Sequence, residues 1–551
     1  MGVGKRQRRK NAAFYRTCNS KNRENIEVES RDFGNLSKFV TLKLEICRSV
    51  IIFVPQIEMI VDAKRLVTVF SDQKEKLLNK DITELCTQFE EKQIIMIRGN
   101  EKKRLTFTLM DIGYKKAGPV QIYDRRTCYE DGNVIPFSEQ LAIVTHALML
   151  QGKRQGEIYQ SKFSELVEAW TTSLDTAKTK LDATIVSEPS ALQYSLFQDV
   201  FKAPFPGPEN PKFTFIDLFA GIGGFRMALQ NLGGQCVFSS EWDAQAQKTY
   251  YANYGEVPFG DITSEYTKQY IPDGFDILCA GFPCQAFSLA GKRLGFEETR
   301  GTLFFDVAEI LRRKQPKAFF LENVKGLAIH DKGKTLKTIL NTLDEIGYVV
   351  VPPQIVNAMY FGVPQHRERL YIVGFRKDLG VKVEDFSYPN QKEVTKHFID
   401  IREKDPVPAK YYLSTTYVNT LIRHKARHES KGNGFGYAIV GDNEVANAIV
   451  VGGMGRERNI VIDTRQTDLT PTTRIKGEYN KDGWRRMTPR EWGALQGYPV
   501  YDKGDGSPVF QIPVADASAY KQFGNSVAVP AIQATASQLL KVLSDKKILP
   551  L

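Results

Sequence analysis

The amino-acid sequence predicts an α/β protein built around a doubly wound sheet. This prediction rests on the residues found at the ends of three strands. An apolar strand over residues 213–219 runs into the glycine turn Ala220-Gly-Ile-Gly-Gly224 and then into a helical pattern. A second strand over 235–240 ends in an acidic residue and an indole, and a third over 275–280 leads to a proline and a cysteine. Because ligands bind at the carboxyl ends of the strands in an open α/β sheet, these ends predict one shared site.

The composition is typical of a globular protein with more than one domain. The chain has 551 residues, 42% hydrophobic and 25% charged, so we expect two or three compact units. A net charge of +11 fits a polyanionic partner, although solubility explains such an excess equally well. Seven cysteines without a C-x-x-C pair predict no disulfide framework and no metal, and indicate a reducing cytoplasm. No signal peptide or membrane-spanning run is found, so we expect no membrane partner.

Residues 1–200 are expected to form an extra N-terminal α+β domain of unknown role. They begin with a basic arm, Lys5 to Lys10, which is either a phosphate contact or a solvated tail. Strand-like runs such as 49–54 are interspersed with helical stretches such as 137–150. Glu101-Lys102-Lys103 matches the Glu-x-Lys of some metal-dependent nucleases, but a solvated turn is the stronger interpretation because no carboxylates for metals lie nearby.

A proline-rich stretch over 201–212 predicts a stiff linker, and the first strand of the sheet follows it. The glycines after that strand let a ligand approach the backbone at a helix N-terminus. At the end of the second strand, Glu241 is placed to grip a ribose diol, and Trp242 can stack on adenine. The spacing from Gly221 to Glu241 suits NAD as well, so these residues alone leave the cofactor open.

Cys284 follows the third strand and precedes a polar segment rich in glycine, which predicts a mobile loop. A free cysteine is usually a small buried hydrophobe, and that interpretation is the stronger one for the residue by itself. At a strand end of an α/β sheet, however, an exposed thiol could act as a nucleophile.

Two further strand ends carry charged side chains. The strand over 318–321 delivers Glu322, which could equally be a salt-bridging residue. The run Gln365-His-Arg367-Glu-Arg369 leads into another strand and places two arginines at alternate positions, so both should project to one side. Surface ion pairing would explain the arginines equally well.

In order and spacing, these motifs resemble those of the DNA cytosine-5 methyltransferases of bacterial restriction-modification systems. The resemblance covers residues 213–543 and includes Gly281-Phe-Pro-Cys284-Gln285, Glu322-Asn323-Val324 and Gln522-Phe-Gly-Asn525-Ser526. It implies a Rossmann-like S-adenosylmethionine-dependent methyltransferase fold, with S-adenosylhomocysteine as product. The implied cofactor-binding residues are Phe219, Gly221, Gly223, Gly224, Glu241, Trp242, Asp261, Ile262, Pro283, Asn525 and Ser526.

The resemblance implies a catalytic set of Cys284, Glu322, Arg367 and Arg369. Cytosine C5 is a poor nucleophile, so a thiolate must first add to C6, and Cys284 would supply it. Glu322 would hold or protonate N3 while electrons enter the ring. Arg367 would steady the pyrimidine carbonyl and lower the thiol pKa, a role that Arg369 could share. The base must leave the duplex stack to reach them, and methyltransferases are among the known base-flipping enzymes.

The resemblance also divides the chain. It implies a catalytic domain over 213–395, a small loop-rich target-recognition domain over 396–484, and C-terminal motifs over 485–551 that return to the catalytic domain. The implied DNA-binding residues are Gln285, Ser288, Arg456, Arg458, Thr472 and Arg474. Local runs in the recognition segment are similar to those of members that methylate within a CC/GG core.

Double-stranded DNA is the expected partner, a cognate restriction endonuclease would act separately, and we expect a monomer in the cytoplasm at the nucleoid. Two alternatives remain open. An RNA cytosine-5 methyltransferase of the same fold is disfavoured by the long insert over 396–484. A catalytically idle DNA-binding regulator is disfavoured by the presence of both Cys284 and Glu322.

Overall fold

The computed structural model describes most of the chain from residue 203 onward and a few shorter stretches before it. The described residues are 50–54, 57–61, 94–98, 101–105, 129–130, 133–134, 137–164, 166, 203–283, 303–391, 393–434, 436–451, 456–466 and 478–550. The chain divides into two compact units, one of Met1–Phe137 with Val167–Phe197 and one of Ser138–Leu166 with Gln198–Leu551. The predicted N-terminal domain of 1–200 therefore contributes residues 138–166 to the second unit.

The described part of the first unit consists of antiparallel strand pairs. They are β1 (Val50–Val54) with β2 (Ile57–Val61), β3 (Ile94–Arg98) with β4 (Glu101–Leu105), and β5 (Tyr129–Glu130) with β6 (Asn133–Val134). The strand expected over 49–54 is present as β1. The predicted turn at Glu101-Lys102-Lys103 is wrong, because these residues pair with β3 in register. The basic arm lies outside the described residues.

The second unit is built on a seven-stranded sheet. The remaining strands are β7 (Phe213–Leu218), β8 (Gly234–Ser240), β9 (Ile277–Gly281), β10 (Ala318–Val324), β11 (Tyr348–Val350), β12 (Gln354–Asn357), β13 (Gln365–His366), β14 (Glu368–Arg376), β15 (Ala446–Asn447), β16 (Ile460–Ile462) and β17 (Trp484–Arg486). The sheet order is β11-β14-β10-β9-β7-β8, and β12 also pairs with β14.

Strands β8, β7, β9 and β10 run parallel, whereas β14 runs antiparallel to β10. The parallel strands are apolar and buried along nearly their whole length, as expected for a sheet covered on both faces. The chain steps outward from β7 in one direction to β8 and in the other to β9. This reversal of strand order is the position where open α/β sheets bind ligands. The predicted α/β doubly wound class is confirmed.

The helices of the second unit cover this sheet and extend beyond it. They are α1 (Phe137–Met149), α2 (Gly224–Gln230), α3 (Ala244–Tyr254), α4 (Glu265–Lys268), α5 (Leu303–Lys314), α6 (Lys334–Glu345), α7 (Thr415–Glu429), α8 (Pro489–Leu495), α9 (Asp516–Asn525) and α10 (Val529–Asp545). Helix α1 matches the helix expected over 137–150. Helix α10 packs on α2, so the C-terminal segment lies against the first helix of the sheet domain.

Local sequence explains where the helices begin. Asp243 caps α3 by accepting hydrogen bonds from the backbone of Gln245 and Ala246 at 2.9 and 3.3 Å. Thr488 and Glu491 form a reciprocal capping box at the start of α8, with a proline at its first position. No helix in the described ranges is both long and apolar enough to cross a membrane.

The proline-rich stretch before β7 lies against the sheet domain. The Phe205 ring contacts those of Tyr254 and Phe510, with centroids 6.3 and 6.2 Å apart. The backbone N–H of Phe205 donates to Asn253 O at 2.9 Å. These contacts hold residues 203–212, which form most of the expected linker, against the sheet domain.

The described residues of the segment over 396–484 include a long helix, α7, and short strands. A small apolar cluster of its own is formed by Leu413, Val418, Leu421 and Ile460. Strand β15 pairs with β13, so this segment is joined to the run that leads into β14.

Candidate active site

The loop after β7 leaves part of its backbone accessible to a ligand. Phe219, Gly221 and Gly223 have φ of 57°, 57° and 81°, the left-handed region that favours glycine. A Cβ on Gly223 would lie 2.3 Å from the Tyr254 ring, so this position also requires close approach. A Cβ on Gly221 would meet no atom within 4 Å. One side of the loop is thus closely packed, and the other is open to a ligand.

Glu241 joins the end of β8 to this loop. Its carboxylate accepts hydrogen bonds from Gly221 N at 2.8 Å and Asp243 N at 2.7 Å. Burial raises the pKa of Glu241, and the two backbone N–H groups oppose that shift. The neighbouring Trp242 side chain is 82% exposed, so its indole is available as a stacking surface.

The Gly260-Asp261-Ile262 run lies beside the same edge. Ser240, the last residue of β8, forms a parallel bridge with Phe259, which places the run next to Glu241. Asp261 is exposed, and its Oδ1 accepts from Thr263 N and Thr263 Oγ1, both at 2.9 Å. Ile262 is buried.

The C-terminal motif contacts the glycine loop from the other side. A Cβ on Gly224 would lie 2.6 Å from Val527 and 3.1 Å from Ser526 Oγ. Ser526 is buried and its hydroxyl is 2.7 Å from Tyr498 OH, whereas Asn525 is exposed. Residues from four separate parts of the chain therefore surround one strand edge.

The ends of β9 and β10 lie side by side. Gly281 is in parallel register with Glu322, and Asn323 Nδ2 donates to Phe282 O at 2.8 Å. Pro283 is exposed and is the last described residue before the gap. Cys284, Gln285 and Ser288 lie outside the described residues. Asn323 fixes the backbone immediately before Cys284, a role that was not assigned to it from sequence.

Glu322 is a buried acid that forms an ion pair with Arg369. Its Oε1 is 3.1 Å from Arg369 Nε, and both side chains are largely excluded from water. Burial raises the pKa of Glu322, and the charges of Arg369 and Arg367 oppose that shift without cancelling it. The carboxyl is therefore biased toward its protonated form.

The two arginines have different environments. The Arg367 guanidinium donates to the backbone carbonyls of Ile449, Gly524 and Ser526, at 3.0 Å for Ile449 and 3.3 Å for Gly524. Burial, followed by the charge of Arg369, lowers the pKa of Arg367 to about 9. Arg369 is the residue beside Glu322. Arg367 joins its own strand end to two distant segments.

Two glutamines extend that junction, and sequence reasoning missed them. Gln365 donates to Leu495 O at 2.8 Å and accepts from Ile449 N at 3.0 Å. Gln496 donates to Phe523 O at 2.7 Å. Both glutamines are fully buried. Their positions in the Gln365-x-Arg367 and Gln496-Gly-Tyr498 runs were visible, but their partners lie more than 25 residues away.

Of the expected DNA-binding residues, Arg456 and Arg458 are exposed. The Arg456 guanidinium lies 5.3 Å from the Tyr520 ring centroid. Thr472 and Arg474 lie outside the described residues. In the described ranges, no group of three or more His, Cys, Asp or Glu side chains is placed to hold a metal ion.

The open glycine loop and the buried acid Glu322 both lie at strand ends of an α/β sheet, where such sheets bind ligands. The family model for C-5 cytosine-specific DNA methylases matches residues 213–541, and the chain belongs to that family. It is a DNA (cytosine-5)-methyltransferase.

Among named relatives, the Type II methyltransferase M.HpaII of Haemophilus parainfluenzae is 66% identical over 370 residues, which cover 67% of this chain and 99% of that protein. The Type II methyltransferase M.SsoII of Shigella sonnei is 45% identical over 354 residues, which cover 62% of this chain and 84% of that protein. M1.ScrFI of Lactococcus lactis subsp. cremoris is 45% identical over 347 residues, which cover 63% and 82%.

Proposed function

We propose that this enzyme transfers a methyl group from S-adenosylmethionine to C5 of a flipped cytosine in duplex DNA, with Cys284 as nucleophile and Glu322 as acid. The observation that carries this proposal is the register of Gly281 with Glu322, since Cys284 follows Gly281 by three residues in the chain. A buried carboxyl with a raised pKa is suited to donate a proton to a ring nitrogen.

The residues around the strand edge fit S-adenosylmethionine. The open side of Gly221 gives room for a ligand against the backbone, and the exposed Trp242 indole offers a surface for adenine. Glu241 and Asp261 supply acceptors for hydroxyl and amino groups. Phe219, Gly223, Gly224, Ile262, Pro283, Asn525 and Ser526 would complete the pocket. When bound, this cofactor supplies an electrophilic methyl group.

Cys284 and Glu322 would divide the activation of the base. The Cys284 thiolate forms a bond to C6 and breaks the aromatic conjugation of the ring. Glu322 donates its proton to N3, so negative charge does not build up on the ring when the thiolate adds. After C5 has taken up the methyl group, a base accepts the C5 proton, Cys284 leaves C6 as a thiolate, and N3 returns its proton to Glu322, which restores the aromatic ring.

Arg369, more than Arg367, is placed to act with Glu322. Its Nε holds one carboxyl oxygen at 3.1 Å, which orients the other toward an incoming base. Arg367 has its guanidinium donors directed at backbone carbonyls of the recognition and C-terminal segments. We assign Arg367 to positioning these segments and Arg369 to the pyrimidine carbonyl.

The segment over 396–484 would read the DNA sequence, with Arg456, Arg458, Thr472 and Arg474 as base or phosphate contacts. Gln285 and Ser288 would contact the strand around the flipped base. The named relatives are Type II methyltransferases, which supports a role as the modification half of a restriction-modification system with a separate endonuclease. A CC/GG core is the expected target.

Sequencing of methylated cytosines after expression in an unmodified host tests this function. We expect 5-methylcytosine at one short duplex motif. Exchange of residues 396–484 with those of a relative of different specificity should change the motif and leave activity in place. Methylation confined to RNA would contradict the assignment to DNA, and an unchanged motif would place the reading function elsewhere.

Trp242→Ala tests the cofactor site with little risk to the fold, because the side chain is 82% exposed. Base–aromatic stacking is worth about 1–3 kcal/mol, so affinity for S-adenosylmethionine should fall about 5-fold to 100-fold. Titration calorimetry measures it. Val383→Ala, another exposed apolar side chain on a different surface, is the control and should leave affinity unchanged.

A further inference from the structure

A segment outside the family match is packed against the proposed cofactor edge. Residues 138–166 belong to the same compact unit as the sheet domain, whereas the family match begins at residue 213. In α1, Leu141, Ala142, Ile143 and Val144 have no exposed surface. The segment is therefore part of the folded methyltransferase unit.

Polar groups of this segment bind the chain between Val237 and Tyr270. Thr145 Oγ1 accepts from Val257 N at 3.0 Å, and the single hydroxyl proton of Tyr159 is shared between Val237 O and Tyr270 O, at 2.9 and 3.0 Å. His146 Nε2 lies 3.2 Å from Glu256 Oε1, with both side chains fully buried. These contacts anchor the segment to the sheet domain, and the two carbonyls beside Tyr159 lie outside the Gly260-Asp261-Ile262 run.

Glu139 makes the contact nearest to the proposed adenine site. Its Oε1 accepts from Gly260 N at 2.9 Å, and its side chain is 8% exposed. A Cβ on Gly260 would lie 2.5 Å from the same oxygen, so glycine is required for this approach. The next residue is Asp261. The carboxylate therefore fixes the backbone one residue from the group proposed to meet adenine.

We propose that Glu139 is a positioning residue of the methyl-donor site, which holds Asp261 and Ile262 in place through the Gly260 N–H group. This inference rests on the proposed binding of S-adenosylmethionine at this edge. Residues 138–166 then act as a brace for the adenine end of the pocket. The contacts of Glu139, Thr145, His146 and Tyr159 all go to the chain between Val237 and Tyr270.

Titration of S-adenosylmethionine into the full-length protein tests the inference. Glu139→Ala removes the acceptor and leaves the Gly260 N–H unpaired, so the dissociation constant should rise about 3-fold to 10-fold. Glu139→Gln retains an oxygen that can accept the same N–H, and it should bind within about twofold of wild type. DNA affinity should be unchanged in both variants.

Tyr159→Phe is the matched control, because it removes a buried hydroxyl of the same segment that donates to Val237 O and Tyr270 O, away from Gly260. It should lower the melting temperature and leave cofactor affinity unchanged. If Tyr159→Phe weakens cofactor binding as much as Glu139→Ala does, the segment acts by general stability and the inference is overturned. Wild-type affinity in Glu139→Ala would overturn it as well.

Gly260→Ala disrupts the hydrogen bond between Gly260 N and Glu139 by changing the other residue of the pair. It is the variant to use if Glu139→Ala does not fold. Its new Cβ should push the carboxylate away and weaken cofactor binding by a similar factor, and wild-type affinity there would contradict the inference. A wild-type protein that binds no S-adenosylmethionine would instead refute the proposed function, and this inference would fall with it.

Discussion

Two buried clusters of acids and arginines in the sheet domain differ in how fully their charges are satisfied. In one, Arg485 donates to both oxygens of Glu491 at 2.8 Å and to Asp463 at 3.0 Å. Glu491 also accepts from Thr488 N at 2.7 Å. Burial alone would raise the pKa of Asp463, but the hydrogen bonds and charges of Arg465 and Arg485 outweigh it and lower that pKa. In the other, Glu322 has Arg369 on one oxygen and a raised pKa.

The difference separates a structural cluster from a chemical one. In the first cluster the carboxylate oxygens accept several charged hydrogen bonds, which join the segments around them. In the second, burial raises the pKa of Glu322 above its ordinary value, and perturbed pKa values of this kind mark functional sites. The same residue types therefore have opposite roles because of hydrogen bonding.

Glu322→Gln should give the largest effect on activity. The amide fills the same volume but cannot deliver a proton to N3, so the methylation rate should fall about 100-fold to 10,000-fold. Melting temperature and cofactor affinity should stay near wild type. A single-turnover assay with methyl-labelled cofactor measures the rate, and a loss below tenfold would remove the distinction between the clusters.

Arg485→Met should give the largest effect on stability. It leaves Glu491 and Asp463 buried with too few cations, and breaking such a buried cluster typically costs about 3–5 kcal/mol. Denaturant unfolding measures the change. Lys481→Met is the control, because Lys481 pairs with Glu478 at 3.9 Å on the exposed surface and should change nothing measurable.

The two arginines near Glu322 sharpen the comparison further. Arg369→Lys loses the Nε contact with the carboxyl, and the rate should fall about 10-fold to 100-fold with the fold retained. Arg367→Lys should instead lower thermal stability, since a single ammonium cannot reach the three carbonyls of Ile449, Gly524 and Ser526. Equal rate losses at equal stability in the two variants would contradict this division of roles.

Asp217 is a third buried acid, in β7, and burial raises its pKa to about 8, opposed by Arg226. Because the folded pKa lies above the ordinary value of 3.8, its stabilising contribution is complete below pH 4 and is lost as pH rises through 8. Asp217→Asn does not titrate. Between pH 6 and 9, wild type should lose on the order of 2 kcal/mol more unfolding free energy than the variant. If the unfolding free energies of wild type and Asp217→Asn changed in parallel between pH 6 and 9, this expectation would be contradicted.

The sequence predicts the strand ends because their residues follow local patterns. The strands before Gly221, Glu241 and Glu322 are short apolar runs, and parallel strands bring their carboxyl ends together whatever the loops do. Charge and glycine placement then indicate which ends bind a ligand.

Long-range contacts could not be predicted in this way. Strand alternation places Arg367 and Arg369 on the same side, yet the acceptors of Arg367 come from segments more than 80 residues away. The pairing of Glu139 with Gly260 spans 121 residues, and the helical pattern around Glu139 gave no signal of its partner. Such contacts are set by tertiary packing and leave no local periodicity.

The central claim is that Cys284 and Glu322 act together on the cytosine ring, and trapping of the covalent adduct tests it most directly. A duplex with fluorine at C5 of the target cytosine should be methylated and then stall, since fluorine cannot leave as a cation. The account predicts an adduct that survives denaturing electrophoresis, requires S-adenosylmethionine, maps to the Cys284 peptide and disappears in Cys284→Ala. An adduct at Cys279, or methylation by Cys284→Ala at wild-type speed, would contradict it.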